Sequence, residues 1–189
     1  MTQTTAPAVA ELLQSVVDTA RAIFGAQASS VMLLDTAAGE LAFEAVSGQG
    51  QEFLVGRRFP AGRGIAGWVA ASGEPMVVDD LRESASFDRD IAESTGYVPD
   101  ALMAAPLVRG DRVLGVLEVL DPSPQARSGL PELDLLGLFA RQAAVALHVL
   151  TTHTPRPAPA PRDAPDAPDG PSRTELLRLL SEARRLLGE

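Results

Sequence analysis

The chain has 189 residues, of which 46% are hydrophobic and 22% are charged, a composition typical of one globular domain with an appendage. It contains no cysteine, and all 16 basic residues are arginine, which excludes disulfides, zinc–thiolate sites, Schiff-base lysines and the lysine of a phosphate-binding loop. The net charge of -9 falls on residues 1–150, so nucleic acid is not an expected partner of the main domain.

The first part of the chain predicts a helix followed by a hairpin. Residues 1–7 are expected to be disordered, and residues 8–24 repeat apolar side chains at helical spacing, with Gly25 as a left-handed stop. The runs "SSVMLLD" and "ELAFEAV" are strand-like, and "TAAG" between them is a turn signal. No membrane span or signal peptide is recognisable, so we expect a cytoplasmic protein without a membrane partner.

The middle of the chain predicts short elements. A glycine-containing stretch leads into a short helix at residues 65–72, closed by Gly73, and "PMVV" predicts a short strand. "SFDRDIAEST" predicts another short helix, and residues 102–121 predict two strands around a Gly-Asp turn. A helix follows at residues 131–150. Consecutive strands without intervening helices indicate an α+β antiparallel sheet, with the terminal helices packed together on one face.

The composition changes after residue 150. Residues 151–171 are rich in proline, alanine and aspartate and predict an extended linker. Residues 172–189 predict a short amphipathic helix, with Ser172 and Glu175 at capping-box spacing. This helix either folds back or docks to a protein partner through an apolar stripe formed by Leu176, Leu177, Leu180, Ala183 and Leu187.

The sequence between Phe59 and Asp121 resembles a GAF domain. The matching pieces are "GIAGWVAASGEP", "VVDDL" and "AAPLVRGDRVLGVLEV", followed by "DLLGLFARQAAVAL" in the last helix. Over residues 8–150 the resemblance implies a GAF-like antiparallel β-sheet of about six strands, with the N- and C-terminal helices on one face and short lid helices and loops on the other. It also implies a small-molecule pocket under the lid and a homodimer formed through the terminal helices.

Eight residues are candidates for binding a ligand in that pocket: Trp68, Val78, Asp80, Phe87, Ile91, Tyr97, Leu117 and Glu118. Trp68 either roofs the ligand by stacking or plugs the open face of the sheet. Asp80 either accepts hydrogen bonds from a ligand or caps the turn that follows it. Strand alternation puts Glu118 on the same face as Leu114, Val116 and Leu120, where its carboxylate either binds a ligand or pairs with an arginine.

The charges and residue types argue against several ligands. Residues 79–100 carry a net charge of -5, which disfavours a cyclic nucleotide, although Arg57, Arg58 and Arg63 could bind an anion if they are not simply solvated. His148 and His153 lie outside the expected pocket, which argues against haem. The covalent bilin and the methionine sulfoxide reductase chemistry of some relatives need cysteine. We therefore predict no catalytic residues, no metal ligands and no cofactor.

Two functions fit these features. The first is a non-catalytic sensory or regulatory domain that binds an unidentified small, apolar or weakly polar molecule and signals through its terminal helices and the C-terminal docking helix. The second is a structural, cargo-type interaction protein, in which the domain only dimerises and the linker-borne helix docks to a partner. An enzyme is the weakest alternative, because the sequence lacks a nucleophile elbow and metal-ligand spacing.

Overall fold

The computed structural model describes residues 7–49, 51–82, 84, 88–94, 96–123 and 130–152. Within them the helices are α1 (Pro7–Phe24), α2 (Gln51–Leu54), α3 (Gly64–Ser72), α4 (Arg89–Ser94) and α5 (Leu130–Thr152). The strands are β1 (Ala28–Asp35), β2 (Glu40–Gly48), β3 (Arg58–Pro60), β4 (Met76–Val78), β5 (Leu102–Arg109) and β6 (Arg112–Leu120).

The strands form one antiparallel sheet in the order β3-β2-β1-β6-β5-β4. The predicted α+β class and antiparallel sheet are therefore confirmed. The edge strand β3 carries no pattern that predicts a strand, because its three residues are too few to alternate and end in a proline. Two glycines have the left-handed backbone expected of them, Gly25 after α1 and Gly73 after α3.

One face of the sheet is covered by α1 and α5, which contact each other as well as the strands. Their buried side chains, among them Leu13, Val17, Phe24, Leu136 and Ala140, form a continuous core with residues from the central strands. The opposite face packs against α3 and the lid segments through a second apolar cluster. Both faces of the sheet are therefore covered, and the apolar residues of the central strands β1, β5 and β6 pack into one core or the other.

Two bulges change which residues share a face. The first bulge is in β6. Leu107 of β5 pairs with Gly115 of β6 and the next residue, Val108, pairs with Val113, so Leu114 of β6 has no partner and is the extra residue. Leu114 consequently packs against the helix-side core, and the prediction that it shares a face with Glu118 is wrong. The second bulge is in β2. Val31 of β1 pairs with Ala45 of β2 and Met32 pairs with Phe43, which leaves Glu44 of β2 as the extra residue.

Helix α5 contains a segment, Glu132–Thr151, that is long and apolar enough to cross a membrane by length and composition alone. The sequence prediction overlooked this segment because Asp134, Arg141 and His148 interrupt its apolar run. Such a segment is weak evidence for insertion, since the core helix of a soluble protein passes the same test. Here Leu136, Ala140, Ala143 and Leu147 form its buried stripe.

Several predictions concern residues outside the described ranges. These are the disorder of the first six residues, the linker at 151–171 beyond Thr152, and the helix at 172–189 with its docking stripe. Pro7, which was expected to be disordered, is the first residue of α1, where its missing N–H leaves no helical hydrogen bond unmade.

Gly115 provides a test of the central strand pairing. A Cβ atom at this position would overlap the carbonyl oxygen of Met32 on β1, so Gly115→Ala should lower the free energy of unfolding by about 2–4 kcal/mol. Gly137→Ala is the matched control, because its Cβ meets no atom within 4 Å and α5 should become more stable by about 0.5–1 kcal/mol. Urea unfolding followed by circular dichroism measures both changes, and equal stability of the two variants would contradict the close approach.

Candidate functional site

A cavity of about 90 Å³ lies between the sheet and the lid segments and is partly open to solvent. Its volume is several times the roughly 10–15 Å³ that one water molecule needs. The wall is mostly apolar and includes Met32, Phe43, Phe59, Ile65, Leu102 and Leu120. Most of the cavity wall therefore offers no hydrogen-bonding group, and the few polar side chains in it decide which polar groups a ligand can carry.

Glu118 and Ser30 supply the polar part of the cavity floor. They lie directly opposite each other in the pairing of β6 with β1, and both line the cavity. Glu118 is 8% exposed and Ser30 is 3% exposed. On its other side Glu118 is opposite Ala104 of β5, so two small neighbours leave the carboxyl group uncovered. The strand geometry thus points one acidic side chain into an apolar space.

Neither polar group has a partner among the described residues. The Ser30 hydroxyl makes no hydrogen bond, whereas the neighbouring Ser29 hydroxyl donates to the backbone carbonyl of Glu118 at 2.8 Å. Burial raises the pKa of the Glu118 carboxyl to about 7, because the charged form is poorly solvated there. A buried carboxyl group without a partner is costly for a fold, and such groups concentrate at functional sites.

An ion pair closes one side of the cavity. The Arg63 guanidinium contacts the Asp88 carboxylate at 2.6 Å, and both side chains line the cavity. Arg63 precedes α3 and Asp88 precedes α4, so the pair joins the starts of two lid helices. Arg57 adds a second link, since it donates a hydrogen bond to the backbone carbonyl of Ser94 at the end of α4.

Tyr97 lines the cavity and is held from behind by Asp121. Its hydroxyl donates to one carboxylate oxygen of Asp121, and the other oxygen accepts the backbone N–H groups of Asp100 and Ala101 at 2.9 Å. Desolvation by burial and the hydrogen bond to Asp121 raise the pKa of Tyr97, so its hydroxyl stays protonated. The Tyr97 ring is thereby held in place as part of the cavity wall, and its hydroxyl does not ionise near neutral pH.

The structure brings together two of the eight predicted ligand-binding residues, Tyr97 and Glu118, at the cavity. Leu117 does not join them, because alternation along β6 turns its side chain into the helix-side core. Trp68 is 42% exposed on the outer side of α3, whose buried residues face the sheet, so it neither roofs nor plugs the cavity. Those two placements were predicted wrongly.

The remaining candidates lie beside the cavity or outside the described part. Asp80 is half-buried, and its carboxylate accepts the backbone N–H of Arg82 at 3.0 Å, which is the turn-capping alternative. Val78 is half-buried against the lid-side core but does not line the cavity. Ile91 lies in α4, and its side chain is not described. Phe87 falls outside the described residues.

The sequence reasoning missed two residues that line the cavity, Ser30 and Asp88, and it named Arg63 only as a possible anion-binding residue. The two adjacent serines within the apolar strand "ASSVMLL" could have indicated Ser30 as a site residue, because strand residues that face a core are rarely polar without a structural or functional reason. The pairing of Arg63 with Asp88 carried no such signal, since it joins residues from two separate lid segments.

Comparison with known proteins gives a consistent assignment. The family model for the GAF domain matches residues 8–147. Among curated proteins, the chain is 28% identical over 116 residues to a "Probable 3',5'-cyclic phosphodiesterase pde-5" of Caenorhabditis elegans, covering 61% of this chain and 15% of that protein. It is 30% identical over 94 residues to the "Cone cGMP-specific 3',5'-cyclic phosphodiesterase subunit alpha'" of Mus musculus, covering 50% and 11%. The chain thus spans a small part of these relatives.

Solved structures agree on the fold. The GAF domain of a phosphoenolpyruvate-protein phosphotransferase from Coxiella burnetii superposes with a TM-score of 0.69 at 21% identity, covering 78% of this chain and 87% of that one. The second GAF domain of DevS from Mycobacterium smegmatis gives a TM-score of 0.62 at 23% identity, covering 76% and 96%. At such identities the likeness shows the fold alone.

The buried carboxyl of Glu118 should make stability depend on pH. Because its pKa is raised in the folded state, the protonated form favours folding below pH 4.5, and this contribution is lost as the pH rises through about 7. Between pH 5 and pH 8 the free energy of unfolding should fall by about 2–3 kcal/mol more in the wild type than in Glu118→Gln. Urea titrations at the two pH values measure this difference, and parallel pH profiles would contradict an unpaired buried carboxyl.

Proposed function

Because the chain belongs to the GAF domain family of sensory and regulatory domains, we propose that it is a non-catalytic sensory module that binds a small molecule. The observation that carries this proposal is the cavity, whose apolar wall surrounds two buried polar side chains without partners. Pockets that bind small molecules have this make-up, a largely apolar lining with few placed polar groups. The family's typical solubility and the sequence support a cytoplasmic location.

The residue types around the cavity support a binding role over catalysis. The chain has no cysteine, and within the described ranges no group of histidine, aspartate or glutamate side chains could hold a metal ion. The other carboxyl group that lines the cavity among the described residues, Asp88, is held in an ion pair by Arg63. Acid–base work on one bond needs two convergent groups, and Asp88 is engaged by that ion pair. Glu118 therefore serves better as a recognition group than as one half of a catalytic pair.

Strand β6 gives the bound molecule a route to the terminal helices. Glu118 faces the cavity, and its neighbours Leu117 and Val119 face the core formed with α1 and α5. A ligand that moves Glu118 or tightens the lid changes the packing of residues directly adjacent in the strand. A ligand changes the output only through its different affinity for the two packing arrangements.

The outer face of α5 supports the proposed homodimer. Leu138, Val145 and Val149 are 55%, 46% and 46% exposed and lie on one side of the helix, opposite its buried stripe. A solvent-exposed apolar stripe on a long helix fits pairing with the same helix of a second copy. Docking of residues 172–189 to a protein partner stays a prediction from the sequence.

Ligand binding is tested by measuring the melting temperature of the protein in the presence of each compound of a metabolite panel that includes cGMP. A compound present at 100 times its Kd should raise the melting temperature by about 5–10 °C. Ala66→Leu fills the cavity from α3 and should abolish the shift, whereas Ala10→Leu on the exposed side of α1 should not. A panel without any such compound would count against the sensory role.

The dimer is tested by sedimentation velocity. Leu138→Glu puts a charge at the most exposed position of the α5 stripe and should shift a micromolar dimer to monomer. Val55→Glu is the matched control, since Val55 is 54% exposed but lies between α2 and β3. If both variants sediment like the wild type, this α5 face is not the dimer contact.

A further inference from the structure

The cavity contains a specific arrangement of hydrogen-bonding capacity. Ser30 and Glu118 are cross-strand neighbours, each more than nine-tenths buried, and both face the same apolar space without a protein partner. Fold stability alone does not explain the pair, because alanine or leucine would be better tolerated at either position. The unmade hydrogen bonds converge on one spot at the cavity floor.

We propose that this cavity takes a small aliphatic amine in its ammonium form, with the ammonium group donating to the Glu118 carboxylate and the Ser30 hydroxyl. The inference rests on the proposed small-molecule binding and specifies its chemical class. An ammonium carries three N–H donors, and the floor offers three acceptor atoms, the two carboxylate oxygens of Glu118 and the hydroxyl oxygen of Ser30. Hydrogen bonds between charged groups are also the strongest that such a site can make.

The charges around the cavity favour a cation over an anion. The titratable and charged side chains that line it with Glu118, in the part of the chain that the structure describes, are Arg63, Asp88 and Tyr97. Arg63 is neutralised by Asp88, and Tyr97 stays protonated, so Glu118 contributes the charge that a ligand would meet at the floor. The start of α3 also lines the cavity and favours an anion, so an anionic probe belongs in the test.

The shape of the cavity limits the rest of the ligand. At about 90 Å³ it is smaller than the cavity of about 150 Å³ that accommodates benzene, so a short branched alkyl group fits better than a ring system. Met32, Phe43 and Leu120 surround that space and would bury the alkyl group. A compact amine therefore satisfies both the polar floor and the apolar wall.

Binding of an ammonium should depend on pH in one direction. The empty cavity holds Glu118 protonated below about pH 7, and a cation binds best to the ionised form. Affinity for an aliphatic amine, which stays protonated up to about pH 10, should therefore rise about tenfold between pH 6 and pH 8. A neutral alcohol of the same shape has no such dependence.

The experiment compares three matched probes: isobutylamine, isobutanol and isobutyrate. The full chain is labelled with 13C at the methionine methyl groups, and Kd values are taken from chemical-shift titrations at pH 6 and pH 8. Met32 lines the cavity and reports binding, whereas Met103 is buried in the helix-side core and serves as an internal control. At pH 8 isobutylamine should bind at least about tenfold more tightly than either other probe.

Variants assign the selectivity to the two side chains. Glu118→Gln should abolish the preference for the amine and its pH dependence, whereas Glu74→Gln, at an exposed glutamate, should leave both unchanged. Ser30→Ala should weaken amine binding about threefold to tenfold while leaving isobutanol binding nearly unaffected. Ser30→Ala also provides a readout if Glu118→Gln fails to fold.

The outcomes separate the two levels of the proposal. Isobutanol or isobutyrate binding as tightly as isobutylamine, with a shift at Met32, would overturn the amine assignment but leave a small-molecule pocket. Selectivity for the amine that persists in Glu118→Gln would also overturn it. If no probe and no panel compound shifts Met32, both the amine assignment and the sensory function fail.

Discussion

The central constraint on this molecule is that a single antiparallel sheet is covered on both faces, so residues in the middle of the central strands must face one core or the other. The constraint is tightest at β6, where Leu117 and Val119 complete the helix-side core and Glu118 faces the lid. The bulge at Leu114 moves that residue to the helix side without disturbing the face that carries Glu118. The acidic side chain inside an apolar space is thus a direct result of strand alternation.

The lid side combines an apolar core with polar contacts that join its segments to one another. Arg63 contacts Asp88, and Arg57 donates to the carbonyl of Ser94, so each contact joins a lid segment to the start or the end of α4. The Arg63 side chain is half exposed and the Asp88 side chain is mostly buried, whereas the Arg57 contact is a hydrogen bond to a backbone carbonyl.

Much of the fold could be predicted from residue patterns, because long helices and alternating strands carry a strong periodic signal. The helices α1 and α5 and the strands of both hairpins were expected close to their observed bounds. The site was harder to predict, because its floor depends on pairing register between β1 and β6, which no local pattern specifies. Ser30 was missed for that reason, and Trp68 was misplaced because an aromatic in an apolar helix indicates burial but not direction.

The two edge strands of the sheet disfavour β-pairing between neighbouring molecules. Strands β3 and β4 are each three residues long, and β3 ends in Pro60, which cannot donate a backbone hydrogen bond. Short edges interrupted by proline offer a poor template for intermolecular β-pairing. Such a domain can stand beside identical copies in tandem or at high concentration with little tendency to swap strands or form fibrils.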